Sequence, residues 1–142
     1  MTIAAILEGK GRDVIQVRST DSVLSVVTLL AEQRIGCVPV VDDGQVVGIF
    51  SERDLVYRVA TEGAAALERP VAEVMTAPAI TIDDDTPVMA GLSLMTKRRI
   101  RHLPVVVGGE LIGLISIGDL VKFRIDRTEA EAAALRDYIQ TA

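Results

Sequence analysis

Two short runs hold most of the residues that could do chemistry. Ser51-Glu52-Arg53-Asp54 and Ser116-Ile117-Gly118-Asp119 each fall where a β-branched run gives way to a helical pattern. At such a handover the free backbone N–H groups of a helix start favour a phosphate, and an Asp one turn in can accept both hydrogen bonds of a ribose diol. The same spacing is that of a capping box, in which Ser caps the helix and the acid three residues on reaches back to its N–H. Caps are the commoner use of Ser-x-x-Asp, and the residues alone leave both readings open.

Gly48 and Gly113 stand three residues before those serines, inside strands that are otherwise β-branched. A strand glycine marks a place where a ligand or another backbone comes close. The stretch Lys97-Arg98-Arg99-Ile100-Arg101-His102 adds five groups capable of positive charge. Lys97, Arg98 and Arg99 complement the C-terminal dipole of a helix. Arg101 and His102 lie against a strand start and are placed to hold a phosphate by charge-assisted hydrogen bonds.

Other chemistries lack their parts. His102 is the single histidine and Cys37 the single cysteine, so the chain by itself supplies no Cys/His zinc site and no Cys-x-x-Cys pair. Asp83, Asp84 and Asp85 lack the alternating ligands and terminal Glu of a calcium loop and read as a solvated helix entry. No metal and no catalytic cofactor is expected. Cys37, before Val38-Pro39, reads as a small buried residue, and a redox-sensitive thiol is its alternative.

The elements that must position these residues occur twice. Ile15 to Val56 align without a gap on Ile80 to Val121, at an offset of 65 positions, with 14 identities in 42 pairs. Each copy reads as a short strand (Val14 to Val17, Ile80 to Ile82), a helix, two strands and a second helix. Val23, Val26, Val27 and Leu30 recur at helical spacing, as do Val88, Leu92 and Met95, with Thr86 as the expected N-cap and Pro87 in the first turn. The strands Cys37 to Val41 and Val46 to Phe50 flank Asp42-Asp43-Gly44, and Leu103 to Val107 and Leu111 to Ile115 flank Gly108-Gly109, both signals of tight hairpin turns. V-A-E-V-M-T-A-P in the connecting segment echoes I-A-A-I-L-E-G-K at the N-terminus, which predicts a short leading helix for each copy. The expected division is residues 1–62 as the first repeat, 63–72 as a linker, 73–125 as the second repeat and 126–142 as a C-terminal helix. In that helix Val121, Ile125, Thr128, Ala132, Leu135 and Ile139 form a narrow seam of the coiled-coil kind, suited either to its own domain or to another subunit.

Composition sets the outer limits. The chain has 142 residues, 49% of them apolar, with two Phe, two Tyr and no Trp. That balance suits an aliphatic α/β interior, and halves of this size fold best around a shared core. A net charge of -5 lacks the basic footprint of a nucleic-acid binder. No apolar run reaches the roughly 20 residues of a membrane span, and the N-terminus lacks a leader pattern. The expectation is a soluble cytoplasmic protein without nucleic-acid or membrane partners.

From about Ile3 to Ile125 the chain resembles a tandem pair of cystathionine-β-synthase-type domains, a CBS pair or Bateman module. The doubled h-P-V-V and G-h-h-S-x-x-D-L signature carries the resemblance, and S-E-R-D-L, R-H-L-P-V-V and S-I-G-D-L-V-K are similar to small bacterial proteins made of one such pair. It implies an α/β fold of two β-α-β-β-α repeats related by a pseudo-twofold axis, plus a C-terminal helix. Members bind adenosine-containing ligands such as AMP, ADP, ATP, NAD or S-adenosylmethionine, and pairs associate into dimeric discs.

Carried over by position, the resemblance puts Ser51 and Asp54 in one cleft with Ala79, Ile80, Arg101, His102 and Pro104, with Arg53 a further phosphate contact. It puts Ser116 and Asp119 in the other with Val14, Ile15, Gly36, Cys37 and Pro39. The second lacks the basic pair, so unequal sites are expected, the Asp54 site being tighter for a phosphorylated adenosine. The implied function is a non-enzymatic adenosine-nucleotide sensor, a homodimer that signals through an unknown regulated protein. The rivals are a structural or adaptor dimer with empty clefts and a nucleotide-processing enzyme.

Overall fold

The 65-residue offset of the sequence is also the offset of the elements. The computed structural model describes residues 1–141; Ala142, the last residue of the expected C-terminal helix, lies outside them. After α1 (Ile3–Lys10) the first copy runs α2 (Val23–Gln33), β1 (Cys37–Asp42), β2 (Gln45–Ser51) and α3 (Glu52–Glu62). Two 3₁₀ segments, Gly63–Glu68 and Val71–Glu73, lead to α4 (Val88–Arg98), β3 (His102–Val107), β4 (Glu110–Ser116) and α5 (Ile117–Thr141). The second copy thus begins its helix, both strands and its last helix 65 positions after the first. No helix among the described residues is long and apolar enough to cross a membrane.

Local chemistry explains the hairpins. Asp43 and Gly44 (φ 50° and 78°), like Gly108 and Gly109 (φ 59° and 81°), are all left-handed, as a two-residue turn between twisted strands requires. The register shifts at the same place in both copies, between Val40 and Val41 and between Val105 and Val106.

The opening strands are shorter than their sequence suggests. Only Val17 and Ile82 pair, each as a single parallel bridge to Val40 and Val105. Val17 N donates to Pro39 O at 3.2 Å and its carbonyl accepts from Val41 N at 2.7 Å; Ile82 does the same with Pro104 O at 3.1 Å and Val106 N at 2.8 Å. The next rung of a parallel ladder would need the N–H of residue 39 or 104, and proline has none. The Thr86 cap is also corrected. Pro87 takes the N-cap position of α4, while Thr86 Oγ1 bonds Asp83 Oδ1 at 3.1 Å. In the first copy Ser22 does cap α2, accepting from Ser25 N at 3.1 Å.

The two cores show how the copies are joined. Ile3, Ile6 and Leu7 of α1 are buried with Val88, Met95, Leu103, Val105, Ile115 and Leu120 of the second copy. Val71 and Val74, which precede the second copy, are buried with Val17, Val23, Val26, Leu30, Val38, Val40 and Phe50 of the first. The leading segments are therefore exchanged. Backbone bonds hold the exchange, with Ile3 N on Thr86 O at 2.9 Å and Val71 N on Asp21 O at 2.7 Å. Burying a side chain such as Leu7 contributes about 2 kcal/mol. The second leading segment is not the helix its echo of α1 predicts but the single 3₁₀ turn Val71–Glu73. Helix α1 runs on to Lys10, whereas the corresponding run has Pro78 at that position, which cannot donate within a helix and disfavours a helical Ala77 before it.

This exchange also accounts for the strand glycines. A Cβ on Gly48 would meet Met75 Sδ at 2.5 Å and the Thr76 carbonyl oxygen at 2.9 Å; one on Gly113 would meet Leu7 Cδ2 at 2.6 Å. Of the two reasons a strand glycine can have, close approach of another chain segment is the one present.

Helix α5 runs unbroken for 25 residues, so the last helix of the second copy and the C-terminal helix are one element. Leu120 is buried and Phe123 half-buried, but Val121, Ile125, Leu135 and Ile139 of the seam are exposed, as are Val56, Tyr57 and Val59 on α3.

Candidate functional site

Ser51 ends β2 and Asp54 sits in the first turn of α3, so strand, turn and helix together set their relation. Ser51 N donates to Asp54 Oδ2 at 2.9 Å and Ser51 Oγ to the same oxygen at 3.2 Å, a capping box. The other carboxylate oxygen, Oδ1, accepts from Thr76 Oγ1 at 2.8 Å, across the seam between the copies. Asp54 is thus held from both sides while remaining only half-buried. The cap reading and an oriented, accessible carboxylate are both present in the same residue.

Around it opens a cleft of about 390 Å³. Ile49, Pro78, Ile80 and Ile100 give it an apolar wall, and Arg53, Arg99, Arg101 and His102 line another part, with Glu52 the one further acid besides Asp54. Arg53 and Arg99 come from different copies and meet where Arg53 Nη1 donates to Arg99 O at 3.2 Å. Volume and lining are those of a small-molecule site, apolar with a few convergent polar groups. An apolar wall accepts a flat heterocycle, a fixed carboxylate accepts a diol, and guanidinium groups bind phosphate oxygens.

Gly36 and Cys37, which the resemblance assigns to the other cleft, line this one. The hairpin register is the reason, because Cys37 pairs directly with Ser51, as His102 pairs with Ser116. Burial, with the Asp54 carboxylate adding to it, pushes the Cys37 thiol up to about 12, so it stays protonated and unreactive at neutral pH. His102 lines this cleft and also feels the charge of Asp119. Burial holds its imidazole below the ordinary value, helped by the charges of Lys10 and Arg101 and opposed by Asp119 and Glu52. Ala79 and Pro104 do not line the cleft. Pro39 and Pro104 are buried strand residues whose carbonyls hold the opening segments.

The second Ser-x-x-Asp unit has the same cap and a different neighbour. Ser116 N donates to Asp119 Oδ2 at 2.8 Å, and Asp119 N donates back to Ser116 Oγ at 3.1 Å. Lys10, the last residue of α1, places Nζ 2.6 Å from the same Oδ2 and 2.7 Å from Leu114 O. Burial raises the Asp119 carboxyl, but the bonds from Lys10 and Ser116 outweigh it and leave it below the ordinary carboxylate range. Val14 is half-buried and Ile15 exposed.

Thr76, Arg99, Glu52 and Lys10 are absent from the site expected on sequence grounds. The repeat offers no signal for Lys10 or Thr76, because the echo of the leading segments sets Lys10 against Pro78 and Thr76 against Glu8.

Comparison with known proteins places this geometry in a family. Residues 11–61 and 71–126 each match the CBS domain. The mitochondrial CBS domain-containing protein CBSX3 of Arabidopsis thaliana is 30% identical over 98% of this chain and 72% of its own length. Among solved structures, a CBS-domain containing protein from Agrobacterium tumefaciens superposes with a TM-score of 0.84 at 42% identity, over 87% of this chain and 99% of that one. A CBS domain protein from Pyrobaculum aerophilum, complexed with AMP, gives 0.74 at 29% identity, over 84% of this chain and 89% of its own. With two matched segments, exchanged leading segments and paired Ser-x-x-Asp units on one seam, the chain belongs to the CBS-domain family as a tandem pair.

Proposed function

We propose that this chain is a non-catalytic sensor of adenosine nucleotides, with the Asp54 cleft as its principal site. The observation that carries the reading is the arrangement around Asp54: a carboxylate held by Ser51 N at 2.9 Å and Thr76 Oγ1 at 2.8 Å stands between isoleucines and arginines drawn from both copies. Adenine would lie among Ile49, Ile80 and Ile100, the ribose diol on Asp54, and the phosphates against Arg53, Arg101 and His102, with Arg99 beside them. AMP is the simplest ligand that uses all three regions, and ADP, ATP and NAD extend the same plan. The AMP-bound relative supports the class of ligand.

A ligand that touches both copies favours whichever packing of the two it binds better, and that difference is the signal. We take the working form to be a cytoplasmic homodimer that passes the signal to a separate regulated protein. A thermal shift panel of AMP, ADP, ATP and NAD tests the reading. At about 100 times its dissociation constant a true ligand adds about 2.7 kcal/mol of stability. Stabilisation lost in Asp54→Ala supports the site. No stabilisation by any nucleotide favours the adaptor reading, in which the observed capping boxes are the whole role of Ser51 and Asp54. Turnover of the nucleotide during incubation would instead indicate an enzyme.

A further inference from the structure

The two carboxylates at the seam are engaged by chemically different partners. Asp54 Oδ1 is met by the Thr76 hydroxyl at 2.8 Å, while Asp119 Oδ2 is met by the Lys10 ammonium at 2.6 Å in addition to Ser116 N at 2.8 Å. A hydroxyl both donates and accepts, so Thr76 can turn and share its bond with an incoming diol; an ammonium only donates. Lys10 is moreover anchored twice, since Nζ also donates to Leu114 O at 2.7 Å. Its backbone is fixed as well, because α1 is pinned in the second core by Ile3, Ile6 and Leu7.

We propose that Lys10 is an internal occupant of the second cleft, which reserves Asp119 against a ribose and limits the chain to one tightly held adenosine ligand, in the Asp54 cleft. The proposal rests on the nucleotide reading of that cleft. A diol that takes both oxygens of Asp119 must share Oδ2 with Ser116 N and the Lys10 ammonium, a charge-assisted bond stronger than any of the neutral ones from Ser51 and Thr76 on Asp54. Lys10 and Asp119 are partly exposed (39% and 26%), and pairs of that kind are modest in energy. The latch therefore sets a ranking of about two- to fivefold between the clefts and does not seal the weaker one. The residue opposite Lys10 in the echo of the leading segments is Pro78, which has no donor to offer Asp54. The latch thus belongs to one copy only, and a duplication that began with equal clefts has been made to discriminate at a single residue.

Lys10→Met keeps the reach of the side chain, removes its charge and its donors, and tests the idea. Calorimetry with AMP should give one tight site in the wild-type chain, lost in Asp54→Ala. Lys10→Met should bind a second equivalent about two- to fivefold more tightly than wild type does, and Asp119→Ala in that background should abolish it. A wild-type chain that fills both clefts with similar affinity, or a Lys10→Met chain that gains nothing, overturns the proposal while leaving the nucleotide reading intact. If neither chain binds any nucleotide, the nucleotide reading fails, and the latch is judged by an NMR titration of the Asp119 carboxyl. A lower value in wild type than in Lys10→Met supports the latch, and equal values overturn it.

Discussion

Thr76 and Asp54 meet across the seam between the repeats, Oγ1 to Oδ1 at 2.8 Å, although 22 residues separate them. That bond ties the segment leading into the second copy to the first turn of α3 in the first. The carboxylate is aimed by both halves of the molecule at once.

Thr76→Val keeps the shape and removes the donor. Nucleotide affinity at the Asp54 cleft should fall by about five- to tenfold, as for one lost hydrogen bond, and Asp54→Ala should cost more. Calorimetry orders the variants; equal affinity in Thr76→Val and wild type would mean that Thr76 does not position the carboxylate.

The two strand glycines should not be equally replaceable. At Gly48 an added Cβ is stopped by the Thr76 carbonyl, whose residue exchanges two backbone bonds with Ile49 at 2.8 and 2.9 Å. At Gly113 it meets the end of the Leu7 side chain, which can turn. Gly48→Ala should cost about 2 kcal/mol or more and Gly113→Ala less, read from urea unfolding midpoints.

Acid should weaken the fold through His102. Its folded value lies below the ordinary 6.5 because of burial first and the charges of Lys10 and Arg101 second. A depressed imidazole contributes stability that is whole above the ordinary value and is lost as pH falls below it. His102→Gln should therefore flatten the stability profile below about pH 6.5. A bound phosphate would favour the charged imidazole, so AMP binding should take up protons, which calorimetry in buffers of different ionisation enthalpy detects.

The exposed apolar residues on α3 and α5 should be covered in solution. Val56, Val121 and Ile125 lie exposed on the two helices that begin at the Ser-x-x-Asp units. Sedimentation should give a dimer for the wild-type chain, and Val121→Asp with Ile125→Asp should leave a folded monomer. A wild-type chain that stays monomeric at high concentration would contradict the homodimer.

What was legible in the sequence was what short range decides. Asp43-Gly44 and Gly108-Gly109 announce their turns because few residues accept a positive φ, and Ser51 and Ser116 mark helix starts because a capping side chain acts within one turn. The opening strands were over-read because apolar alternation reports a face and not a ladder; the missing N–H of Pro39 and Pro104 decides the ladder. The cleft was half legible. Ser51, Asp54, Ile80, Arg101 and His102 stand on its wall, but the place of Gly36 and Cys37 followed from hairpin register, which residue types do not state. Lys10 and Thr76 were hidden because their significance depends on which core each leading segment enters, and a repeat looks the same whether its leading segments are exchanged or not.

That exchange has a consequence for how the molecule is made. Helix α1 leaves the ribosome well before the surface that receives Leu7, which includes Ile115 and Leu120, more than 100 residues downstream. Contacts of such separation are slow to close and cannot guide early folding. The first copy must likewise wait for Val71 and Val74. The first core is complete once Val74 has emerged, whereas the second lacks Ile115 and Leu120 until the end, so a chain truncated before β4 should be a substrate for chaperones and proteases, and α1, translated before the strands it packs against, is among the last elements to find its place.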